Sequence, residues 1–228
     1  GVDQTTGDTV VVTDFESVDA SARSTAVRLT GSTGANTLTG GSGADTIGGG
    51  GGGDVIAAGA GDDRVDYGGS EASIDGGSGT NTLVLQTAAT LNLGASDQTA
   101  SDAVTVRLVQ NVDAAGLGST QAVTITGATG ANTLTGGAGD DTIDGAGGLD
   151  AIDGGAGDDR IAYRGGEATI AGGTGTNTLV LTTATAVDLA VTADQTTADG
   201  TTVTGFAGVD ASGLATGIAL AGSAADET

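Results

Sequence analysis

The sequence contains no cysteine, histidine, methionine, tryptophan, proline or lysine; its six basic residues are all arginine. Each absence removes a class of chemistry. Without Cys or His there is no Ser-His-Asp triad, no thiol nucleophile, no zinc site of the usual kind and no disulfide framework. Without Lys there is no Schiff base and no phosphate-loop lysine. No apolar run approaches the roughly 18 residues of a membrane helix. Against those six arginines stand 29 acidic residues, for a formal net charge of −23. That charge excludes nucleic acid and anionic membrane surfaces as partners, because both are bound through basic groups.

Large apolar side chains are scarce too. Val, Ile, Leu and Phe together make up fewer than one residue in five. Few such residues combined with a high net charge is the composition of a disordered chain. Such a chain stays unfolded or folds with a component absent from its composition, and a positive ion is the obvious candidate.

What the sequence has in abundance is glycine, 45 residues of it, arranged in nested repeats. Residues 31–84 recur as 127–180 at a constant offset of 96, without a gap, so that Asp45 maps to Asp141 and Tyr67 to Tyr163. The flanks repeat less strictly. Val18-Asp19-Ala20 returns as Val112-Asp113-Ala114 and Val209-Asp210-Ala211, and Asp3-Gln4-Thr5 returns as Asp97-Gln98-Thr99 and Asp194-Gln195-Thr196. Gly222-Ser223 opens a further copy, with the acidic Asp226 close to where Asn36 would fall. The pattern reads as a segment of a longer tandem array. Residues 1–30 end one β-spacer, 31–84 and 127–180 are two cassettes, 85–126 is the spacer between them, and 181–228 is a spacer with the start of a third repeat.

Each cassette divides into six nonapeptides, beginning at residues 31 and 127. Position eight is aliphatic in all twelve: Leu38, Ile47, Ile56, Val65, Ile74 and Leu83, then Leu134, Ile143, Ile152, Ile161, Ile170 and Leu179. Position six is Asp or Asn in all but two, where Ala72 and Ala168 stand. Six small or acidic residues make a turn, with Gly where φ is positive or backbones approach closely. Three more make a short strand with its central aliphatic side chain inward. Two units complete a coil, and coils stack into two parallel sheets. Carried through the whole chain, that period predicts about 13 coils. One buried aliphatic per nonapeptide does not offset the ordering of its backbone, and stacked aspartates repel. A bound cation answers both deficits. Carboxylate and carbonyl oxygens suit Ca²⁺; Mg²⁺ is less apt because it sheds water reluctantly.

Twelve in-phase copies of this pattern resemble the RTX (repeats-in-toxin) family, whose nonapeptide G-G-x-G-x-D-x-U-x is a calcium-binding β-helix repeat. The resemblance implies an all-β fold: a right-handed parallel β-roll or β-helix solenoid with calcium-binding turns, its two cassettes joined by irregular β coils. It also implies several Ca²⁺ ions per cassette, each between turns n and n+2, held by both position-six side chains and by carbonyls of the Gly-rich positions. Carried over, Asp45 with Asp63 and Asp141 with Asp159 form the principal sites. Asn36 with Asp54, Asn132 with Asp150, Asp63 with Asn81 and Asp159 with Asn177 form others. The carbonyls are those of Gly40, Gly41, Gly43, Gly49, Gly59 and Gly61, then Gly136, Gly137, Gly139, Gly154, Gly155 and Gly157. At the Asn positions a hydrogen-bonded ladder or a cap on the stack is the alternative to ligation. Asp54 and Asp150 face alanine in unit five, where Glu71 and Glu167 stand beside the gap.

Other residues carry structural expectations. Asp62, Asp140 and Asp158 at position five read as solvated, and Tyr67 and Tyr163 as packing against the stack end. Arg64 and Arg160 read as partners of nearby Asp, and Phe15 and Phe206 as core plugs. The spacers alternate as strands do (Leu91, Leu93; Val104, Val106, Leu108; Val123, Ile125). They either continue the solenoid or form separate small β-domains. The chain reads as a non-enzymatic structural module of a secreted, extracellular bacterial surface protein, exported by a type I machinery and folding in external calcium. Its partners are further copies of itself, in a surface layer or filament or in tandem along one chain. An extender of a giant adhesin, an accessory module of a secreted enzyme and an ice-binding solenoid are the alternatives.

Overall fold

A computed structural model describes residues 15–99, 102–197 and 199–222. The first Asp-Gln-Thr copy and the opening of the third repeat beyond Gly222 lie outside the described residues. Among those described, no helix forms, so none is long and apolar enough to cross a membrane. The strands are short. β1 (Ser17–Asp19) and β2 (Arg28–Thr30) precede the first cassette. That cassette holds β3 (Thr37–Thr39), β4 (Thr46–Gly48), β5 (Val55–Ala57), β6 (Arg64–Tyr67), β7 (Ser73–Asp75) and β8 (Thr82–Leu85). The spacer supplies β9 (Thr90–Asn92), β10 (Thr105–Arg107), β11 (Asn111–Asp113) and β12 (Thr124–Thr126). The second cassette repeats the first as β13 (Thr133–Thr135), β14 (Thr142–Asp144), β15 (Ala151–Asp153), β16 (Arg160–Tyr163), β17 (Thr169–Ala171) and β18 (Thr178–Leu181). After it come β19 (Ala186–Asp188), β20 (Thr196–Thr197), β21 (Thr202–Thr204), β22 (Gly208–Asp210) and β23 (Leu220–Ala221).

Within a cassette every strand pairs in parallel with the next strand but one, as in Thr37↔Val55 and Thr133↔Ala151. Successive strands therefore alternate between two sheets, and the architecture is a parallel β-roll. Every position-eight aliphatic side chain is buried, and together they form one continuous apolar column. Glycine permits the close stacking. Gly59 has a φ of 108°, and a Cβ built on it would collide with the carbonyl oxygen of Gly41, one coil below.

The spacers keep the stack but change its cross-section. Strand order is β1-β3-β5-β7-β10 in the first sheet and β2-β4-β6-β8-β11-β13-β15-β17-β21 in the second. The third sheet runs β9-β12-β14-β16-β18-β22, and the fourth joins β19 to β20 and β23. Cassette one is thus built on sheets one and two, and cassette two on sheets two and three. For one coil the chain visits three sheets in turn, so the first ends at β10 while the third begins at β9. The second spacer does the same, with the fourth sheet as the newcomer. Strands paired across a spacer are separated by much more chain than the two nonapeptides of a cassette coil (Thr82↔Asn111, Thr90↔Thr124). The solenoid thus continues through the spacers in longer, less regular coils, and the count of about 13 coils from an unbroken period is too high for that reason. The β19–β20 pair is antiparallel, against the otherwise parallel pairing of the named strands.

A buried neutral amide sits at the centre of each three-sided coil. Gln98 donates from Nε2 to the carbonyls of Leu93 (2.9 Å) and Val109 (2.8 Å), and its Oε1 accepts the Val109 N–H. Gln195 does the same at Phe206. The flanking Asp97 and Asp194 accept the N–H groups of Val106 and Val203. This assigns a structure to the recurrent Asp-Gln-Thr motif, whose role composition and spacing did not reveal.

Two apolar expectations are corrected. Phe206 is buried, but Phe15 is 61% exposed, because it precedes the first strand of its sheet and no described strand stacks beyond it. Leu108 breaks the alternation of its spacer. It is 51% exposed with a φ of +58°, because the chain turns there to send Val109 inward. The equivalent residue in the second spacer is Gly205, at φ +79°. A left-handed residue with a Cβ costs roughly 1–2 kcal/mol. Leu108→Gly should therefore raise stability by about 1 kcal/mol despite the extra freedom of glycine, read as a higher urea midpoint.

Candidate metal centres

The position-six side chains form ladders along the turns. In each, Oδ1 accepts the N–H of the position-six residue one coil below: Asp54 from Asn36 (2.8 Å), Asp63 from Asp45 (2.7 Å), Asp150 from Asn132 (2.9 Å) and Asp159 from Asp141 (2.8 Å). Asparagine ends the ladders. Asn81 and Asn177 accept from Asp63 and Asp159 (3.0 and 2.9 Å) and donate Nδ2 to the carbonyls of Leu108 and Gly205 in the spacer coils. Asn36 and Asn132 accept from Ser32 and Ala128 and donate to the carbonyls of Glu16 and Gln110. An aspartate at those ends would face a carbonyl with no proton to give.

Two kinds of turn follow. In unit two the second side-chain oxygen of Asp45 and Asp141 accepts the position-two N–H of its own turn, from Gly41 (2.7 Å) and Gly137 (2.6 Å). In units three and four, position two takes a positive φ: Gly50 84°, Gly59 108°, Ala146 66° and Gly155 96°. Ala146 and Gly155 turn their N–H groups to Asp144 and Asp153 instead. Oδ2 of Asp54, Asp63, Asp150 and Asp159 is consequently buried with no hydrogen-bond partner. Buried polar atoms are rarely left so, and an unpaired buried carboxylate oxygen is costly.

Main-chain oxygens line the glycine turns from coil to coil. The carbonyls of Gly41, Gly43, Gly59 and Gly61, and of Gly137, Gly139, Gly155 and Gly157, each abut the Cα of the matching glycine one coil on. Those of Gly49 and Gly154 abut Gly31 and Gly136. Gly40 and Gly136 lie against the carbonyls of Ala58 and Gly154 and against the Oδ2 atoms of Asp45 and Asp141. Among the described residues, no group of three or more acidic side chains converges as a metal cluster. A cation between these turns would therefore draw most of its ligands from the backbone. The donor set is all oxygen, part anionic and part carbonyl, which fits a hard divalent ion with flexible coordination, as Ca²⁺ is.

Other acids are already engaged. Glu71 sits in the nest of its own turn, accepting the N–H groups of Gly68, Gly69 and Ser70, and Glu167 does so with Arg164, Gly165 and Gly166. Their Oε1 atoms accept the position-two N–H of unit five, as Oδ2 of Asp45 and Asp141 does in unit two, so a position-five glutamate takes over a contact that Ala72 and Ala168 cannot make. Asp62, Asp140 and Asp158 are exposed but tied, accepting the N–H of Thr80, Asp158 and Thr176 one coil on. Tyr67 and Tyr163 do not close a stack end. Both are buried at the junction with the following spacer and donate to Asp102 (2.7 Å) and Asp199 (2.9 Å). Burial first, with the neighbouring carboxylate, pushes Tyr163 up to about 12. Arg64 and Arg160 reach Asp113 and Asp210 at 2.6 and 2.7 Å, strapping cassette to spacer.

Comparison with known families meets the geometry here. The model of the RTX calcium-binding nonapeptide repeat matches residues 28–56, 49–70 and 124–161, in four copies. These stretches are RTX calcium-binding repeats. No curated protein matches the chain. The RTX matches cover the turns that hold all four orphaned oxygens and stop before Glu71 and Glu167, where the turn is filled by its own carboxylate. RTX repeats occur typically in secreted proteins.

Burial raises the carboxyl groups of Asp54, Asp63, Asp141 and Asp150 above the ordinary aspartate range, and Asp159 up to about 6. An unfolded aspartate releases its proton near 3.9. Folding without metal therefore takes up protons, and that contribution to stability is complete below about pH 4 and lost as pH rises through about 6. In chelator the urea midpoint should fall between pH 4 and 7, and Asp159→Asn should flatten the fall. At pH 7 that same substitution should stabilise the chain in chelator yet weaken its calcium response, since it removes both a buried charge and a ligand. Asp63→Ala should raise the calcium midpoint by roughly tenfold, a loss of about 1.4 kcal/mol; Asp62→Ala should leave it within about twofold. Circular dichroism during calcium titration reads both.

Proposed function

We propose that the chain is a calcium-dependent structural element of a secreted bacterial surface protein, forming part of a surface layer, an extracellular filament or a rod-like extension. The observation that carries this reading is the set of four buried carboxylate oxygens without partners, at Asp54, Asp63, Asp150 and Asp159, all within RTX turns. Calcium bound there would supply the positive charge that these oxygens and the net charge of −23 call for. Asp45 and Asp141 lend the opposing carboxylates, and the inward glycine carbonyls fill the remaining positions. Asn36, Asn81, Asn132 and Asn177 act first as ends of the ladders, already holding hydrogen bonds to the spacer coils.

A structural role is supported by continuity. The second sheet runs through both cassettes and the spacer between them, so the element is a single rod and not beads on a flexible string. A catalytic role has no support in the side chains at hand: no His, Cys or Lys exists, and the buried acids are committed to turns. In low calcium the buried aspartates oppose folding, which suits passage through a type I exporter in the unfolded state and folding outside the cell. Side-by-side or end-to-end association builds a layer or filament. A rod that stays single serves as the extender of an adhesin or as an accessory module of a secreted enzyme. Electron microscopy in millimolar calcium should show lattices or filaments that dissolve in chelator. Isolated rods at every concentration would favour the extender, and a chain equally folded in chelator would overturn the calcium reading.

A further inference from the structure

The ladder does not stop at the end of the first cassette. Along the second sheet, the N–H of Val27 donates to Asp45 Oδ1, that of Asp45 to Asp63, that of Asp63 to Asn81 and that of Asn81 to Oε1 of Gln110, at 2.8, 2.7, 3.0 and 2.7 Å. Gln110 belongs to the spacer and immediately precedes β11. Its carbonyl accepts Asn132 Nδ2 at 2.6 Å. The next residue, Asn111, accepts on Oδ1 the N–H of Thr133, the first residue of β13, at 2.7 Å. From Asn132 the ladder resumes to Asp150 at 2.9 Å. One side chain grips the last turn of the first cassette, and its neighbour grips the first strand of the second.

The molecule contains its own comparison. The second spacer has Ala207-Gly208 at the two equivalent positions. Their N–H groups donate to the Asn177 carbonyl as those of Gln110 and Asn111 donate to the Asn81 carbonyl. Glu16, in the matching place ahead of β1, offers its carbonyl to Asn36 Nδ2 as Gln110 does to Asn132. The main-chain contacts come with the coil. The two side-chain bonds are added at the junction between the cassettes.

We propose that Gln110 and Asn111 form a relay that couples the calcium-dependent ordering of one cassette to that of the other, an inference that rests on the calcium reading above. Hydrogen bonds in series polarise one another, and a site next to an ordered turn binds without ordering it again. A change in ligation at Asp63 is then felt at Asp150, and through it in the second cassette.

The test uses tyrosine emission. The chain has two tyrosines and no tryptophan, so Tyr67→Phe leaves Tyr163 as the sole reporter, seated in the second cassette. In that background, Asp63→Asn perturbs the first cassette while keeping an acceptor for the Asp45 N–H. It should raise the calcium midpoint seen by Tyr163 at least about twofold, as the loss of part of one hydrogen-bonded contact. With Q110A/N111G, which copies the second spacer, the same change should leave the Tyr163 midpoint where it was. An Asp63→Asn shift of equal size with and without the relay, or no shift in either, overturns the proposal. If calcium leaves the signal unchanged, the calcium reading itself fails, and the same four proteins compared in urea decide the coupling alone.

Discussion

A carboxylate buried between two stacked turns governs this fold. The turn must be tight for the coils to approach at strand spacing, and the tightness carries the position-six side chain out of water. One of its oxygens is satisfied by the N–H one coil below, as in Asp54 with Asn36. The other is left to whatever the gap can supply. Where position two keeps an ordinary φ, its N–H fills that need, as Gly41 does for Asp45. Where position two turns left-handed, nothing in the chain does. The raised pKa of the buried aspartates and the proposed metal sites both trace to that difference. On the calcium reading proposed above, the acid that opposes folding without a cation is also the one that would make folding answer to it.

The spacers solve a different problem. They interrupt the run of acidic turns without interrupting the column of apolar side chains, which continues through Leu91, Val106, Val112 and Ile125. A neutral amide, Gln98 or Gln195, does there what carboxylates and cations do in the cassettes. Each spacer also retires one sheet and begins another, so neighbouring cassettes share a sheet and differ in the second. Calcium-binding repeats thus alternate with coils centred on a buried neutral amide.

Much of this was legible in the sequence because the period is short and repeated. Twelve aliphatic residues at position eight announce a buried column, and all twelve are buried. The position-six residues announce side chains paired two units apart, and two ladders in each cassette join them at that spacing. Sequence is blind where a residue acts through a distant partner. Nothing near Tyr67 in the sequence points to Asp102, and nothing near Gln110 points to Asn81 or Asn132. Glu71, beside the position where alanine replaces the acid, accepts three N–H groups of its own turn, the position-two N–H among them, which its place in the nonapeptide did not announce. Leu108 shows the limit of alternation as a guide: a strand that ends one residue early sends the next side chain outward.

By itself the sequence determined the coil of the cassettes, the inward column and the acidic line, since each depends only on contacts between residues at a constant spacing. Only the tertiary structure decided which aspartates keep an oxygen without a partner. That depends on the φ of position two, and glycine allows either sign, so Gly41 and Gly59 read alike in the sequence and differ in the fold. It also decided that the spacers stack as three-sided coils. Pairings such as Thr82↔Asn111 and Thr90↔Thr124 are set by where strands meet and not by any period along the chain.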